Sequence, residues 1–313
     1  MVVETPERIV HVRRHKTSRV KAGWGLAAWF LLPAVLFMLV FVYIPAGLSL
    51  TLGFFHYHLL GVDTTFAGLS NFAAALSYPV FWTALENTLI FAAIMVPLTI
   101  VLSLALGFLL HVESRFYASL RTMVLLPYIT PVIATSIGWL WMFNPQYGIL
   151  NAVLSFFHLP TLQWLLSSHW AMPSVALYTL WHSLGFDVVI VMAAIGNIPS
   201  SVIDAARVDG ASSWRLFRKI LGPLLSPTMF FLVIITTLGT LQAFSQIYAL
   251  SGGAATAGGP SYATTTLILL VYQTAFQDFH FSYAASMAFL LVILILLFTL
   301  MQSALAKRWV FYQ

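Results

Sequence analysis

Side chains able to do chemistry are few in this sequence, and their spacing excludes most of what they do elsewhere. There is no cysteine, hence no disulfide framework, no thiol nucleophile and no cysteine metal site. The 9 histidines form no cluster, and the pair His56-x-His58 makes a poor metal site by itself. No Ser/His/Asp or paired-carboxylate arrangement points to a reaction, so no catalytic residue and no metal ligand is assigned. The phosphate-cradling pattern G-x4-G-K-[S/T] is missing as well. What remains are polar groups set into apolar sequence. Glu86 and Asp187 are the acidic residues that fall there, and an ionisable group inside a membrane is costly and a functional suspect by default. Asp187 reads either as a polar contact in a solute pathway or as the partner of a donor on a neighbouring helix. Gln242, Ser245 and Gln246 follow i, i+3, i+4 spacing, which predicts one shared helical face, with Phe244 and Tyr248 close by. Amides and hydroxyls beside aromatic rings suit a neutral sugar or polyol; the same groups also bond membrane helices to one another. Asn87, Trp181 and His182 are weaker members of this set.

A second concentration of signal lies between residues 196 and 223. Ile198-Pro199 ends one apolar segment. Ser201-Val202-Ile203-Asp204 has the S-x-x-D form of a capping box, so a helix is expected to start there. Asp209-Gly210 breaks it, Ser212 or Ser213 can cap a second short helix through Phe217 and Ile220, and Pro223 opens the next apolar segment. The prediction is two short helices joined by a turn. Ala205 and Ala206 are small enough to let a partner surface approach closely. Gly210 can take a positive φ, and Asp204 can cap its own helix or pair with Arg207.

The elements that must position these residues are membrane helices. Of the 313 residues, 60% are hydrophobic and only 7% charged, against about 25% charged in a soluble domain; mean hydropathy is +0.92. Apolar blocks run Gly25–Leu50, Ala84–Leu110, Leu120–Phe143, Ala171–Ile195, Leu224–Leu250 and Tyr283–Ser303. Each reaches the roughly 20 residues that cross a bilayer core, and a backbone in lipid must satisfy its own hydrogen bonds. The expected fold is an all-α integral membrane protein with six transmembrane helices. The first block is too long for a signal peptide and lacks a cleavage site. All 14 lysines and arginines fall before span one, between spans two and three, between spans four and five, or after span six. The positive-inside rule then places both termini and the 196–223 loop in the cytoplasm. Residues 1–24 form a basic cytoplasmic tail, 25–306 the six-helix domain with the loop 200–223, and 307–313 a cytoplasmic C-terminal tail. The net charge of +5 reflects this topology, and no nucleic-acid partner is read from it. The Ser251–His280 loop opens with SGGAATAGGPS and reads as irregular, either a mobile cap or a connector.

Asp204-Ala205-Ala206, Gly210, Ile220 and Gly222-Pro223, at these spacings, resemble the EAA loop of binding-protein-dependent ABC importer permeases, EAA-x3-G-x9-I-x-L-P. Two positions depart: Asp204 stands for Glu, and Gly222 for an apolar Leu. Further segments resemble the carbohydrate-uptake (maltose/glycerol-3-phosphate type) branch of that family. These are Phe81 to Leu89, Leu126-Pro127 through Phe143-Asn144-Pro145 to Gly148-Ile149-Leu150-Asn151, Gly239 to Tyr248, and Gly258-Gly259-Pro260 with Thr264-Thr265-Thr266-Leu267.

The resemblance implies a subunit of a multi-pass importer in a bacterial cytoplasmic membrane. The helix near Asp204, with Ala205, Ala206, Asp209 and Gly210, would be a cytoplasmic coupling helix seated on an ATPase subunit. Asn87, Asp187, Gln242, Ser245, Gln246 and Tyr248 would line the solute pathway. This chain would bind no cofactor; ATP and Mg would sit on two partner ATPase subunits. A second six-span permease subunit and an extracytoplasmic solute-binding protein would complete the assembly. A sugar, a polyol or a glycerol-3-phosphate-like compound is the expected solute, although no basic residue lies within a span to meet a phosphate. The alternative, a self-sufficient secondary transporter or channel, would need ion-coupling carboxylates or repeats that the sequence does not display. The absence of cysteine permits a topology test: a single cysteine at Ala206 is expected to resist an impermeant outside reagent, and one at Ala257 to react.

Overall fold

The computed structural model describes residues 20–57, 64–252 and 258–309, with side chains from residue 28 to 307. Arg8, Arg13, Arg14, Lys16 and Arg19 of the basic tail, His58, Ala257 and the last four residues lie outside the described residues. The chain divides into two units, Met1–Ser49 and Leu50–Gln313.

In the first unit, α1 (Val20–Met38) begins ahead of the expected Gly25. It passes through a π-helical segment, Leu39–Tyr43, into α2 (Ile44–Leu52). The Ile44 N–H bonds the Leu39 carbonyl five residues back, directly before Pro45. Proline lacks an N–H and crowds the carbonyl four residues before it; the wider π turn relieves both problems without ending the helix.

The second unit is helical apart from a two-residue antiparallel pair, β1 (Phe55–His56) and β2 (Thr65–Phe66). Its helices are α3 (Ser70–Ser77), α4 (Pro79–Leu110), α5 (Arg115–Ile129), α6 (Val132–Met142), α7 (Ile149–Phe156), α8 (Ala171–Gly196), α9 (Ser200–Val208), α10 (Ser213–Leu216), α11 (Gly222–Leu241), α12 (Ser245–Leu250), α13 (Leu267–Tyr272) and α14 (Phe281–Trp309). Among the described residues, five helices are long and apolar enough to cross a membrane, and six spans result if the bent pair α5–α6 counts as one.

Span three is therefore not the straight helix expected over Leu120–Phe143. Its two halves meet at 103°. Pro131 explains the corner, because a residue before proline is driven out of the helical region, and Thr130 is extended at φ −87°, ψ 148°. Side chains of α8 bond the carbonyls on both sides of the corner, Thr130 at the end of α5 and Val132 at the start of α6. His182 Nε2 lies 3.2 Å from the Thr130 oxygen, and Tyr178 donates its hydroxyl to the Val132 oxygen at 2.8 Å. Span five also departs from expectation. Its helix stops at Leu241, breaks over Gln242–Phe244 and resumes as α12. The loop expected over Ser251–His280 contains a helix, Leu267–Gln277, too short to span but with Leu267, Leu269 and Leu270 buried.

α8 is the central packing element. It lies along α4 and α5, and a side chain at Gly185 would strike the backbone of Val124 and Leu125 on α5. Small residues of this kind let membrane helices approach to backbone distance. One apolar cluster joins Phe91, Trp139, Val175, Tyr178 and Ile247; another joins Val191, Ile195, Leu225 and Leu232 nearer the other end of α8. Gly185→Val is expected to cost roughly 1–3 kcal/mol by forcing α5 away from α8. A lowered unfolding midpoint of the purified protein in mild detergent checks this; an unchanged midpoint contradicts it.

Candidate functional site

A cavity of about 240 Å³ lies among α4, α5, α8, α11 and α12. Its polar wall is made by two stripes. Thr179, Ser183 and Asp187 lie on α8 at i, i+4, i+8 spacing, hence on one face. Thr236 and Thr240 on α11 repeat the i, i+4 pattern, and Gln246 on α12 also reaches the cavity. Tyr128 and Phe186 form part of the lining, their rings stacked at 4.9 Å. Asp187 is 5% exposed. The hydroxyls of Thr179, Ser183 and Thr240 donate to carbonyls of their own helices, whereas the Thr236 oxygen is buried with no partner.

Of the expected pathway residues, the structure brings Asp187 and Gln246 to this cavity. The shared helical face of Gln242, Ser245 and Gln246 does not form, because the helix breaks between the first and second of them. Gln242 caps α11 and is exposed, and Ser245 opens α12. Tyr248 is not in the cavity lining; it stacks on Phe244 and meets Tyr272 edge-on, both at 5.4 Å. Trp181 packs on Trp139 at 5.3 Å, and His182 serves the corner at Thr130. Thr179, Ser183, Thr236 and Thr240 were not foreseen. The fourfold spacing Thr179–Ser183–Asp187 was the signal that could have found three members of the site.

Asn87 has a different task from the one expected. Its amide donates to the carbonyls of Tyr262 and Thr265 at 2.8 and 3.0 Å. The hydroxyl of neighbouring Thr88 accepts from the Leu267 N–H at 2.9 Å. Together they pin the 258–267 segment to α4. Within that segment the Thr264 N–H bonds the Gly258 carbonyl at 2.9 Å, and Thr264, Thr265 and Thr266 are all buried. The Gly-Gly-Pro and Thr-Thr-Thr runs thus form one clasp. Asn87→Leu leaves two carbonyls without donors and is expected to cost about 1–3 kcal/mol locally. Amide exchange at residues 262–267 should speed up about tenfold or more; unchanged exchange contradicts the clasp.

The 196–223 segment holds a helix, a glycine turn and a second helix. α9 starts at Ser200 after Pro199 and makes no side-chain cap, so the expected capping box at Ser201 does not form. It ends in a Schellman motif. The Ala211 N–H bonds the Ala206 carbonyl and the Gly210 N–H bonds the Arg207 carbonyl, both at 3.0 Å, with Gly210 at φ +71°. Asp204 and Arg207 pair at 3.8 Å with both side chains about two-thirds exposed, a contact that adds little stability. Ala206 is buried within its own chain, whereas Ala205, Asp209 and Gly210 are exposed. Flanking the turn, Val208 is 88% and Trp214 67% exposed.

Ser212 caps the second helix as expected, accepting from the Arg215 N–H. That helix is not a separate short one. It runs through a π segment, Phe217–Leu221, into α11, giving one helix over Ser213–Leu241. The Gly222 N–H bonds the Phe217 carbonyl directly before Pro223, as at Pro45. Phe217 also meets Phe108 of α4 at 5.4 Å. Because Ala206 is buried, a cysteine there would resist any reagent. Ala205→Cys is the informative position: it is expected to react with an impermeant thiol reagent only from the side that bears the basic loops, and labelling from the opposite side contradicts the positive-inside assignment.

A family profile described as "Binding-protein-dependent transport system inner membrane component" matches residues 99–310. The lactose transport system permease protein LacF of Rhizobium radiobacter is 32% identical, with 93% of this chain and 97% of that protein covered. The sn-glycerol-3-phosphate transport system permease protein UgpA of Agrobacterium fabrum is 30% identical, with 90% and 94% covered. Among solved structures, a chain of a bacterial alginate ABC transporter bound to a periplasmic protein carrying an alginate pentasaccharide superposes with a TM-score of 0.78, at 25% identity, over 92% of this chain and 96% of that one.

Proposed function

Because the chain belongs to the family of binding-protein-dependent transport system inner membrane components, the permease subunits of ABC importers, we propose that it forms one part of the transmembrane pathway of a bacterial importer for a carbohydrate or a glycerol-3-phosphate-like solute. A second permease subunit, two cytoplasmic ATPase subunits and an extracytoplasmic binding protein complete the assembly. ATP is hydrolysed on the partners, and both termini face the cytoplasm.

One observation carries the mechanism. The helix Ser213–Leu241 begins at the exposed turn and ends beside the cavity, at Thr236 and Thr240. From Ser213 to Thr236 is roughly 35 Å at 1.5 Å per residue. A helix of that length transmits a push along its axis, because bending it breaks backbone hydrogen bonds that lipid cannot replace. α9 with Asp204, Ala205, Asp209 and Gly210 is then the coupling helix. Val208 and Trp214 are the apolar contacts that enter a groove on the ATPase. Closing of the ATPase pair moves the turn, and the helix carries that motion to the wall of the cavity. Gly222, in place of the apolar residue of the family pattern, lies at the π segment. There the contact between Phe217 and Phe108 ties the lever to α4.

The test is purification of the tagged chain with its partners, and ATP-driven uptake of labelled lactose or sn-glycerol 3-phosphate by the reconstituted complex. Val208→Asp with Trp214→Asp is expected to lose the ATPase subunits on purification, keep the second permease, and lower uptake at least about tenfold. Uptake by this chain alone without ATP would sink the proposal and favour a self-sufficient transporter.

A further inference from the structure

Resting on the reading of the chain as a solute pathway, the cavity beside α8 also carries information about the charge of what passes. Two buried groups in it stand without partners. Asp187 is 5% exposed and has no hydrogen bond or ion pair among the described residues. The hydroxyl oxygen of Thr236, on the facing helix, is buried in the same condition. Buried polar groups are nearly always paired, and an unpaired acid inside a membrane bundle is costly. Around them the hydroxyl oxygens of Thr179, Ser183 and Thr240, their protons given to their own helices, offer acceptors, and the Gln246 amide offers a donor and an acceptor. No lysine or arginine lines the cavity, and none occurs anywhere in α8 or α11. His182, on α8, is engaged with the Thr130 carbonyl.

The missing partners are what hydroxyl groups supply: a donor to the carboxylate and a donor or acceptor to the threonine. An anion gains nothing here. It finds no opposite charge to hold it, and it meets a like charge at short range where Asp187 is ionised, a penalty of about tenfold or more in occupancy. At about 240 Å³, the cavity lies below the roughly 300–1,000 Å³ of pockets for larger ligands and has room for a unit the size of one sugar ring.

We propose that Asp187 is a charge filter in the solute pathway: it admits a neutral, hydroxyl-rich unit and turns away anionic solutes such as sugar acids and phosphate esters. Among the solutes named for the relatives, this selects the neutral sugar over the phosphate ester.

The cysteine-free sequence allows a test that needs neither a known solute nor ATP hydrolysis, so its failure is distinct from failure of the importer reading. Ser183→Cys is placed in this chain within the purified complex. Modification of this chain is timed with three methanethiosulfonate reagents of similar size, one bearing trimethylammonium, one neutral and one bearing sulfonate. Each rate is divided by that reagent's rate with a free thiol. The cationic and neutral reagents are expected to outpace the anionic one by at least about tenfold. Adding Asp187→Asn should bring the three within about twofold, and Asp187→Glu should retain the difference. Thr179→Cys, one turn away, repeats the measurement should Ser183→Cys fail to assemble. Equal rates with Asp187 present, a preference that survives Asp187→Asn, or failure of even the neutral reagent to react each overturn the proposal.

Discussion

Backbone groups in lipid have no water to fall back on, and the internal architecture of this chain follows from where it breaks that rule and how it compensates. Span three turns a corner at Thr130-Pro131, and span five loses its helix over Gln242–Phe244. At the corner, the Thr130 carbonyl left over at the end of α5 meets His182 of α8, and Tyr178 of α8 adds a bond to the Val132 carbonyl at the start of α6. Those side chains arrive in place because Gly185 lets α8 approach α5 to backbone distance. Beyond the break in span five, the 258–267 segment is held by Asn87 and Thr88 of α4. Asn87 and Thr88 of α4 and Tyr178 and His182 of α8 are engaged in these duties. The Asp187 carboxyl and the Thr236 hydroxyl are buried groups of the cavity without a partner, and for that reason they mark the site.

Proline is handled differently where continuity matters. Pro45 and Pro223 each follow a π segment, and in both cases the N–H just before the proline bonds the carbonyl five residues back. The extra residue in the turn absorbs the steric demand of the ring. At Pro131, by contrast, the preceding Thr130 is extended and the chain turns through 103°, whereas Pro97, Pro127 and Pro227 lie within continuous helices. The same residue type therefore sits at a corner in span three and within an unbroken helix over Ser213–Leu241 in span five. That helix runs from an exposed turn bearing Val208 and Trp214 to the wall of the cavity at Thr236 and Thr240.

Much of this was legible in the sequence. Apolar blocks reveal spans because length and composition suffice, and the turn at Gly210 was readable because only glycine suits φ +71° there without strain. Ser212 announced its cap. The failures have physical causes. Gln242, Ser245 and Gln246 looked like one face because spacing assumes an unbroken helix, and nothing in the local sequence shows that the helix stops at Leu241. Asn87 looked like a solute contact, but its amide meets carbonyls 175 and 178 residues away. Ala206 looked like part of a docking surface, but it is buried within its own chain, while Ala205 beside it stays exposed. Thr179 and Ser183 escaped notice because hydroxyls in membrane helices ordinarily bond their own backbone, as these also do.

The rigidity of the helix from the turn to the cavity is the most direct thing to measure. Spin labels at Arg215 and Gly239 report its length, and labels at Gly239 and Gly138 report its position relative to the second half of span three. Both glycines have open space where a side chain would sit. In the assembled complex, trapping ATP is expected to leave the first distance unchanged within about 2 Å, under two residues of helical rise, while the second shifts. A first distance that changes while the second stays fixed contradicts transmission through a rigid helix.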